Sequence, residues 1–274
     1  MFDREAIIAT THLDSEGDKL TIGALHGLVD SINATYIPIW DEHDPRNPPI
    51  GRIASAKVRE RDDGEHEVVA SLEFFDGSET EQYLGDRELV REMRLENGEV
   101  KIVPDRSFRT PEDLEDIEEI AQLLGTRSTE AVKKAIDPIS ILQLTAAFMA
   151  GGIASGFLGK LGSDAADLVK DKIKGLMRRK NNRDSDRVFR LVIQVQKDGR
   201  CLEADVFITN PTDKDIDSLL DHGLSEIDQQ VSRLMSMSTQ LSKLTFEYKD
   251  GSLELKFGVR KDCVPVTLHS KDSE

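Results

Sequence analysis

Cysteine is nearly missing from this chain: Cys201 and Cys263 are the only two in 274 residues. Two thiols exclude a disulfide-built scaffold, and neither has Cys or His neighbours at metal-ligand spacing, so both read as reduced structural thiols. A glycine-rich phosphate loop is also missing, and with it the expectation of a nucleotide cofactor; no cofactor and no resident metal are expected. The first thirty residues contain no apolar core of signal-peptide length, which makes the cytoplasm the expected compartment. Positive charge is short as well. The formal net charge is −16, and a surface of that sign repels phosphate backbones, so nucleic acid is not an expected partner.

The chain does have an uneven charge distribution. Residues 1–137 carry 16 Lys+Arg against 32 Asp+Glu, whereas residues 138–274 carry 20 of each, so the whole excess lies in the first half. Two physically different modules account for this better than one uniform domain. Hydrophobic content of 38% and charged content of 32% are polar for a globular protein but do not describe a disordered chain.

The first module alternates short strands and one helix. Residues 5–12 read as a strand, followed by the turn Asp14-Ser15-Glu16-Gly17-Asp18. Ile22, Leu25, Leu28, Val29 and Ile32 recur at helical spacing behind a capping Thr21. Residues 35–40 are extended, and residues 50–60 and 65–75 flank Asp62-Asp63-Gly64, a hairpin signal. Residues 98–103 suit a further strand. Thr110-Pro111-Glu112 starts an acidic helical stretch that runs towards Pro138.

In the second module, residues 138–159 are uncharged without interruption and include four glycines. The run reads as a Gly-rich apolar helix. One reading buries it in the protein or in an oligomer interface. The other puts it in contact with a membrane, since about 20 residues span a bilayer and Gly152 and Gly156 permit close helix packing. An amphipathic helix with a basic end follows, from Lys170 to Arg183, of the charge that suits an anionic leaflet. Lys197-Asp198-Gly199 and Asp250-Gly251 mark two hairpins on either side of a long amphipathic helix over 213–242, a ββαββ pattern.

One local sequence carries candidate chemistry: His43 among the carboxylates Asp41, Glu42 and Asp44, followed by Pro48-Pro49-Ile50-Gly51-Arg52-Ile53. A neighbouring carboxylate raises a histidine's pKa and fixes its tautomer, as a general base requires. A solvated loop histidine in an acidic stretch is the plainer alternative. In order, Asp14–Asp18, Gly23-Ala24-Leu25, His43-Asp44, Pro49-Ile50-Gly51-Arg52-Ile53 and the hairpin over 53–75 resemble phage prohead (capsid maturation) proteases of the HK97 type, over roughly residues 5–110. The resemblance implies an assemblin-like β-rich fold and a serine peptidase with a histidine base. Its nucleophile falls by position on Ser107, although Arg106 stands where that family has an apolar residue and no glycine follows. Ser71 is a second candidate within a strand, and His12, close to Asp14, is a further histidine of interest.

The expected architecture is therefore α+β: a prohead-protease-like domain over 1–110, an acidic helical connector over 111–137, an apolar then basic helical segment over 138–183, and a ββαββ domain over 184–274. The expected function is a serine peptidase acting on itself or on a partner protein, with His43 as base, Ser107 as nucleophile and Asp44 as orienting acid. The alternatives are an inactive protease-like interaction or assembly protein, and a membrane-active effector working through residues 138–180. A protein partner and a homo-oligomer are the expected company, with the membrane as a second site of residence under the last alternative.

Overall fold

A computed structural model describes residues 2–13, 19–76, 88–89, 95–96, 98–105, 107–126, 139–153, 158–180, 185–238 and 240–268. The chain is mixed α+β with two sheets, one five-stranded and one seven-stranded. It divides into two compact units, Met1–Arg91 with Val259–Thr267, and Glu92–Gly258 with Leu268–Glu274. The division thus falls about twenty residues before the boundary expected near residue 110.

The first unit contains β1 (Phe2–Thr10), α1 (Ile22–Ala34), β2 (Thr35–Ile39), β3 (Gly51–Glu60), β4 (His66–Phe74) and the short β5 (Glu88–Leu89). Its sheet runs β1-β4-β3-β2-β5. Thr21 caps α1 by accepting from the Ala24 amide at 3.1 Å. Leu25 and Ile32 of α1 are fully buried with Ala56, Val68 and Ala70 of the β3–β4 hairpin, so the apolar stripe read in the sequence is what covers one sheet face. Gly51 sits where β3 approaches the β4 backbone, and a Cβ there would lie 2.4 Å from the Glu73 carbonyl oxygen. Beside it, buried Arg52 bonds Glu73, donates to the Asp262 carbonyl at 2.9 Å and stacks 4.3 Å from the Tyr36 ring centroid. The Gly51-Arg52 pair therefore has a structural reason to exist.

The second unit contains β6 (Val100–Pro104), α2 (Pro111–Leu123), β7 (Ile139–Met149), α3 (Ser163–Arg179), β8 (Asp186–Lys197), β9 (Arg200–Thr209), α4 (Asp213–Ser218), α5 (Leu224–Met237) and β10 (Leu241–Lys249); β11 (Ser252–Arg260) and β12 (Pro265–Val266) complete the strands of the chain. The sheet order is β12-β11-β10-β9-β8-β7-β6. β7 and β8 are parallel, as are β9 and β10, while β8 and β9 form an antiparallel hairpin. Asp198-Gly199 and Asp250-Gly251 both have positive φ at both positions, the geometry a two-residue hairpin turn requires. A π-helical turn at Leu219–Gly223 joins α4 to α5 within the long amphipathic stretch.

The apolar run expected as a helix over 138–159 is corrected by the structure. Ile139–Met149 is strand β7, with eight consecutive buried residues from Ile141 to Phe148. A strand covered on both faces loses its polar–apolar alternation, and a continuous apolar run then reads like a helix. The ββαββ module accordingly gains β7 and α3, and α2, expected in a connector, packs with α3 in this unit. Among the described residues no helix is long and apolar enough to cross a membrane. The turn at 14–18, Gly156, and the connector beyond Thr126 lie outside the described residues.

The basic residues of α3 are paired on two sides. Lys170, Lys174 and Arg178, one turn apart, meet Asp221, Asp217 and Asp213 in antiparallel register. On the other side Lys172 bonds Asp116 at 2.8 Å, and Arg179 spans Glu112, Asp113 and Asp116 at 3.0, 2.7 and 2.6 Å. Asp113 is fully buried and also closes the capping box of α2 with Thr110. Burial, the largest single effect on Asp113 and Asp116, pushes their carboxyls up, but Lys180, Lys172 and Arg179 together hold both below the ordinary aspartate range.

Two consequences are testable by urea and acid titration of unfolding. Arg179→Ala strips a buried carboxylate of one partner and is expected to cost about 1–3 kcal/mol, whereas Arg178→Ala breaks a solvent-exposed pair and should cost under about 1 kcal/mol. Carboxyls depressed in the folded state stabilise it above their unfolded pKa of about 3.9. Stability should therefore hold from neutral pH down to roughly 5 and fall steeply below about 4, and Arg179→Ala should flatten that fall.

Candidate functional site

The residues singled out for catalysis fall in both units. His43 ends a short 3-10 turn, Asp41–His43, directly after β2; its side chain lies outside the described residues. Glu42, one position before it, is in the left-handed region at φ 50, ψ 21, a conformation a non-glycine residue adopts at a cost. Asp44 is half-buried, and its carboxylate is held by Arg46, with Nε at 3.0 and 3.1 Å, Nη2 at 2.8 Å and the Arg46 amide at 3.0 Å. Ser107 belongs to the second unit, in the turn between β6 and α2. Its amide donates to Asp105 Oδ1 at 2.8 Å, and its carbonyl accepts from Lys180. Ser71 is a mid-strand residue of β4, opposite Glu5 of β1 and Ser55 of β3. His12 faces Asp63 at 3.3 Å near the β3–β4 turn, where Thr11 and Lys19 both bond Glu65.

The first unit also presents an open strand edge. β1 ends the five-stranded order, so one of its sides is paired with β4 and the other has no neighbouring strand among the described residues. Ile7 is 51% exposed and Ile8 38%. Pairing with β4 shifts register between Ile7 and Ala9, a bulge that leaves Ile8 out of the pairing.

The second unit carries charge where a sheet interior would be apolar. Strand parity places Leu142, Leu144, Leu191, Ile193, Ala204, Val206, Leu244 and Phe246 on one face. Tyr248, on that same face, bonds Ser218 of α4 at 2.7 Å, which puts the helix layer there. The opposite face holds three rows: Val103, Gln143, Arg190, Phe207, Glu247; then Lys101, Thr145, Val192, Asp205, Thr245; then Ala147, Gln194, Glu203, Lys243. Arg190, Glu203, Asp205 and Lys243 are at most 4% exposed, while Lys101 and Glu247, towards the sheet's edges, are partly exposed.

Asp205 Oδ2 is the hub of this face. Arg190 reaches it through Nε at 3.1 Å and through Nη2, and Lys243 Nζ lies at 2.6 Å. Arg190 Nη1 donates to Gln143 Oε1 at 2.9 Å, and Gln143 Nε2 donates to Thr145 at 2.9 Å. Lys243 also lies 3.5 Å from Glu203. Burial pushes the Asp205 carboxyl up and is the largest effect, but Arg190 and Lys243 hold it below the ordinary aspartate range. Two cations and two carboxylates sum to zero, so the layer offers no net charge to an ionic ligand. Sequence reading missed it; the available signal was polar or charged residues at alternate positions of three otherwise apolar strands, Arg190 and Gln194, Glu203 and Asp205, Lys243 and Thr245. Compared with known proteins, the chain matches no family model, no curated protein and no solved structure.

Asp205→Ala would leave Arg190 and Lys243 buried without their shared counterion, an expected loss of about 3–5 kcal/mol in chemical unfolding. Replacing Arg190, Asp205 and Lys243 by Met, Leu and Met together with Glu203→Gln removes every buried charge of the layer at once and should cost markedly less than the single change.

Proposed function

We propose that this chain is an interaction or assembly protein that keeps the layout of a prohead-protease-like first domain and joins a second copy of itself by adding strands along β1. The observation that carries this reading is the open β1 edge with Ile7 and Ile8 exposed at its centre. An edge strand presents a row of amide and carbonyl groups that template another strand, and proteins that stay apart block such edges with charge, proline or a bulge. β1 carries Asp3, Arg4 and Glu5 in its first half and a bulge between Ile7 and Ala9, while Ala6-Ile7-Ile8-Ala9 itself holds neither charge nor proline. The bonding of Asp44 to Arg46 supports the same reading, since it occupies one of the two carboxylates adjacent in sequence to His43.

The peptidase reading stands second, and one observation favours it: the left-handed Glu42 beside His43, because backbone strain concentrates at active sites. In that reading His43 is the base, Ser107 the nucleophile, and the substrate is this protein or a partner.

Light scattering and intact mass separate the two. Wild-type protein is expected to show a concentration-dependent mass above the 30.6 kDa of one chain, and Ile7→Lys with Ile8→Lys should return it to that value with an unchanged circular dichroism spectrum. Its covalent mass should stay constant over days, as should those of His43→Ala and Ser107→Ala. A monomeric wild type would sink the assembly reading. Self-cleavage lost in both His43→Ala and Ser107→Ala would install the peptidase in its place.

A further inference from the structure

The second unit carries a groove between α5 and β11, open to solvent and about 570 Å³ in volume, within the roughly 300–1,000 Å³ of ordinary ligand sites. Gln229, Gln230 and Arg233 of α5 form one wall, and Leu253, Leu255 and Leu268 line it with apolar surface. Beside it runs an uncovered strand edge. β11 has nine residues, whereas its outer neighbour β12 has two. The Arg260 amide donates to the Val264 carbonyl at 3.0 Å, which sets β12 against the C-terminal end of β11. Among the described residues, the stretch 252–255 therefore has no strand on its outer side, and Ser252 and Glu254 are exposed.

Three features of the groove select one kind of occupant. The bare edge offers main-chain donors and acceptors to another extended chain, which is how a peptide joins a sheet. Leu253 and Leu255 are two apart on the strand and so share a face, a floor that takes every second side chain of a segment laid beside it. The helix wall is polar and cationic. Gln229 and Arg233 stand about 6 Å apart along α5, close to the ~6.6 Å repeat of an extended chain. The Arg233 guanidinium carries five donors, more than a single bond takes up, and Glu254, the acid in the lining, is bonded by Lys256 at 3.3 Å. A carboxylate is the group such donors hold best. We propose that this groove binds an extended acidic segment of a partner protein, added as a strand along residues 252–255, with apolar side chains at alternate positions on the leucines and a carboxylate on Arg233. The groove and the β1 edge belong to different units, and the groove needs no second copy of the chain.

A phage-displayed library of random octapeptides, panned on the whole chain, tests this, with synthetic copies of the enriched sequences measured by fluorescence polarisation. Expected are sequences with apolar residues at alternate positions and an Asp or Glu among them. A bound copy should protect amides of residues 252–256 from hydrogen exchange. Arg233→Gln, an exposed change that leaves the fold intact by circular dichroism, should weaken binding about tenfold, the loss of a charge-assisted bond. Replacing the peptide's acid by its amide should weaken binding equally on the wild type and little on Arg233→Gln. Proline at alternate peptide positions should abolish binding, because it removes amides that pair with the edge. Ile7→Lys with Ile8→Lys should leave binding unchanged, so failure of assembly through β1 leaves this site standing. A library with no enriched sequence overturns the proposal, as do enriched peptides that bind Arg233→Gln as well as wild type or that lose their binding with Ile7→Lys and Ile8→Lys. Binding that appears only once residues 269–274 are removed overturns it too, and makes those residues the occupant.

Discussion

A fully buried aspartate in the middle of a sheet sets the terms for the second unit. Asp205 cannot be left alone, because an isolated carboxylate removed from water costs several kcal/mol even after relaxation. Its strand neighbours on both sides must therefore carry compensating cations at matched register. β8 supplies Arg190 and β10 supplies Lys243, and neither could slide by one residue without turning its cation onto the helix-covered face. The charged layer thereby specifies strand order and register more sharply than apolar packing would. That role is conformational specificity rather than net stability, since well-packed apolar residues often do as well energetically in such places.

The same logic, at lower stakes, governs the helices. α3 presents cations on two sides, and α2 and α4 present carboxylates at the spacing needed to meet them. Its apolar side, Val169, Ile173, Leu176 and Met177, is buried. The basic end that suggested an anionic membrane surface is thus largely occupied by this chain's own acids. The acidic excess of residues 1–137 is in part the counterpart of that helix: Glu112, Asp113 and Asp116 belong to it.

Much of the fold was legible in the sequence because local rules and tertiary context agreed. Thr21 and Thr110 cap the helices their positions predict, and the Asp-Gly pairs at 198–199 and 250–251 make the hairpins. β7 was not legible. An eleven-residue run buried on both faces has neither period, and its glycines, Gly151 and Gly152, lie in the turn after the strand rather than inside a helix. The charged layer was hidden for a related reason. Arg190, Asp205 and Lys243 are far apart in sequence, and each alone looks like the polar position of an alternating strand with one side in solvent. Only the pairing of β8, β9 and β10 reveals that this side is closed.

The candidate catalytic set illustrates the opposite difficulty. A motif such as Asp41-Glu42-His43-Asp44 gathers the right residue types, yet sequence adjacency says little about which carboxylate meets the imidazole. Asp44 shows why. Two residues on, Arg46 is close enough to fold back on it, and a bidentate guanidinium satisfies a carboxylate better than a neutral ring nitrogen does. Asp44 and Arg46 thereby close a turn that shapes the loop after His43. A triad's third member need only be near in space, and it commonly comes from elsewhere in the fold.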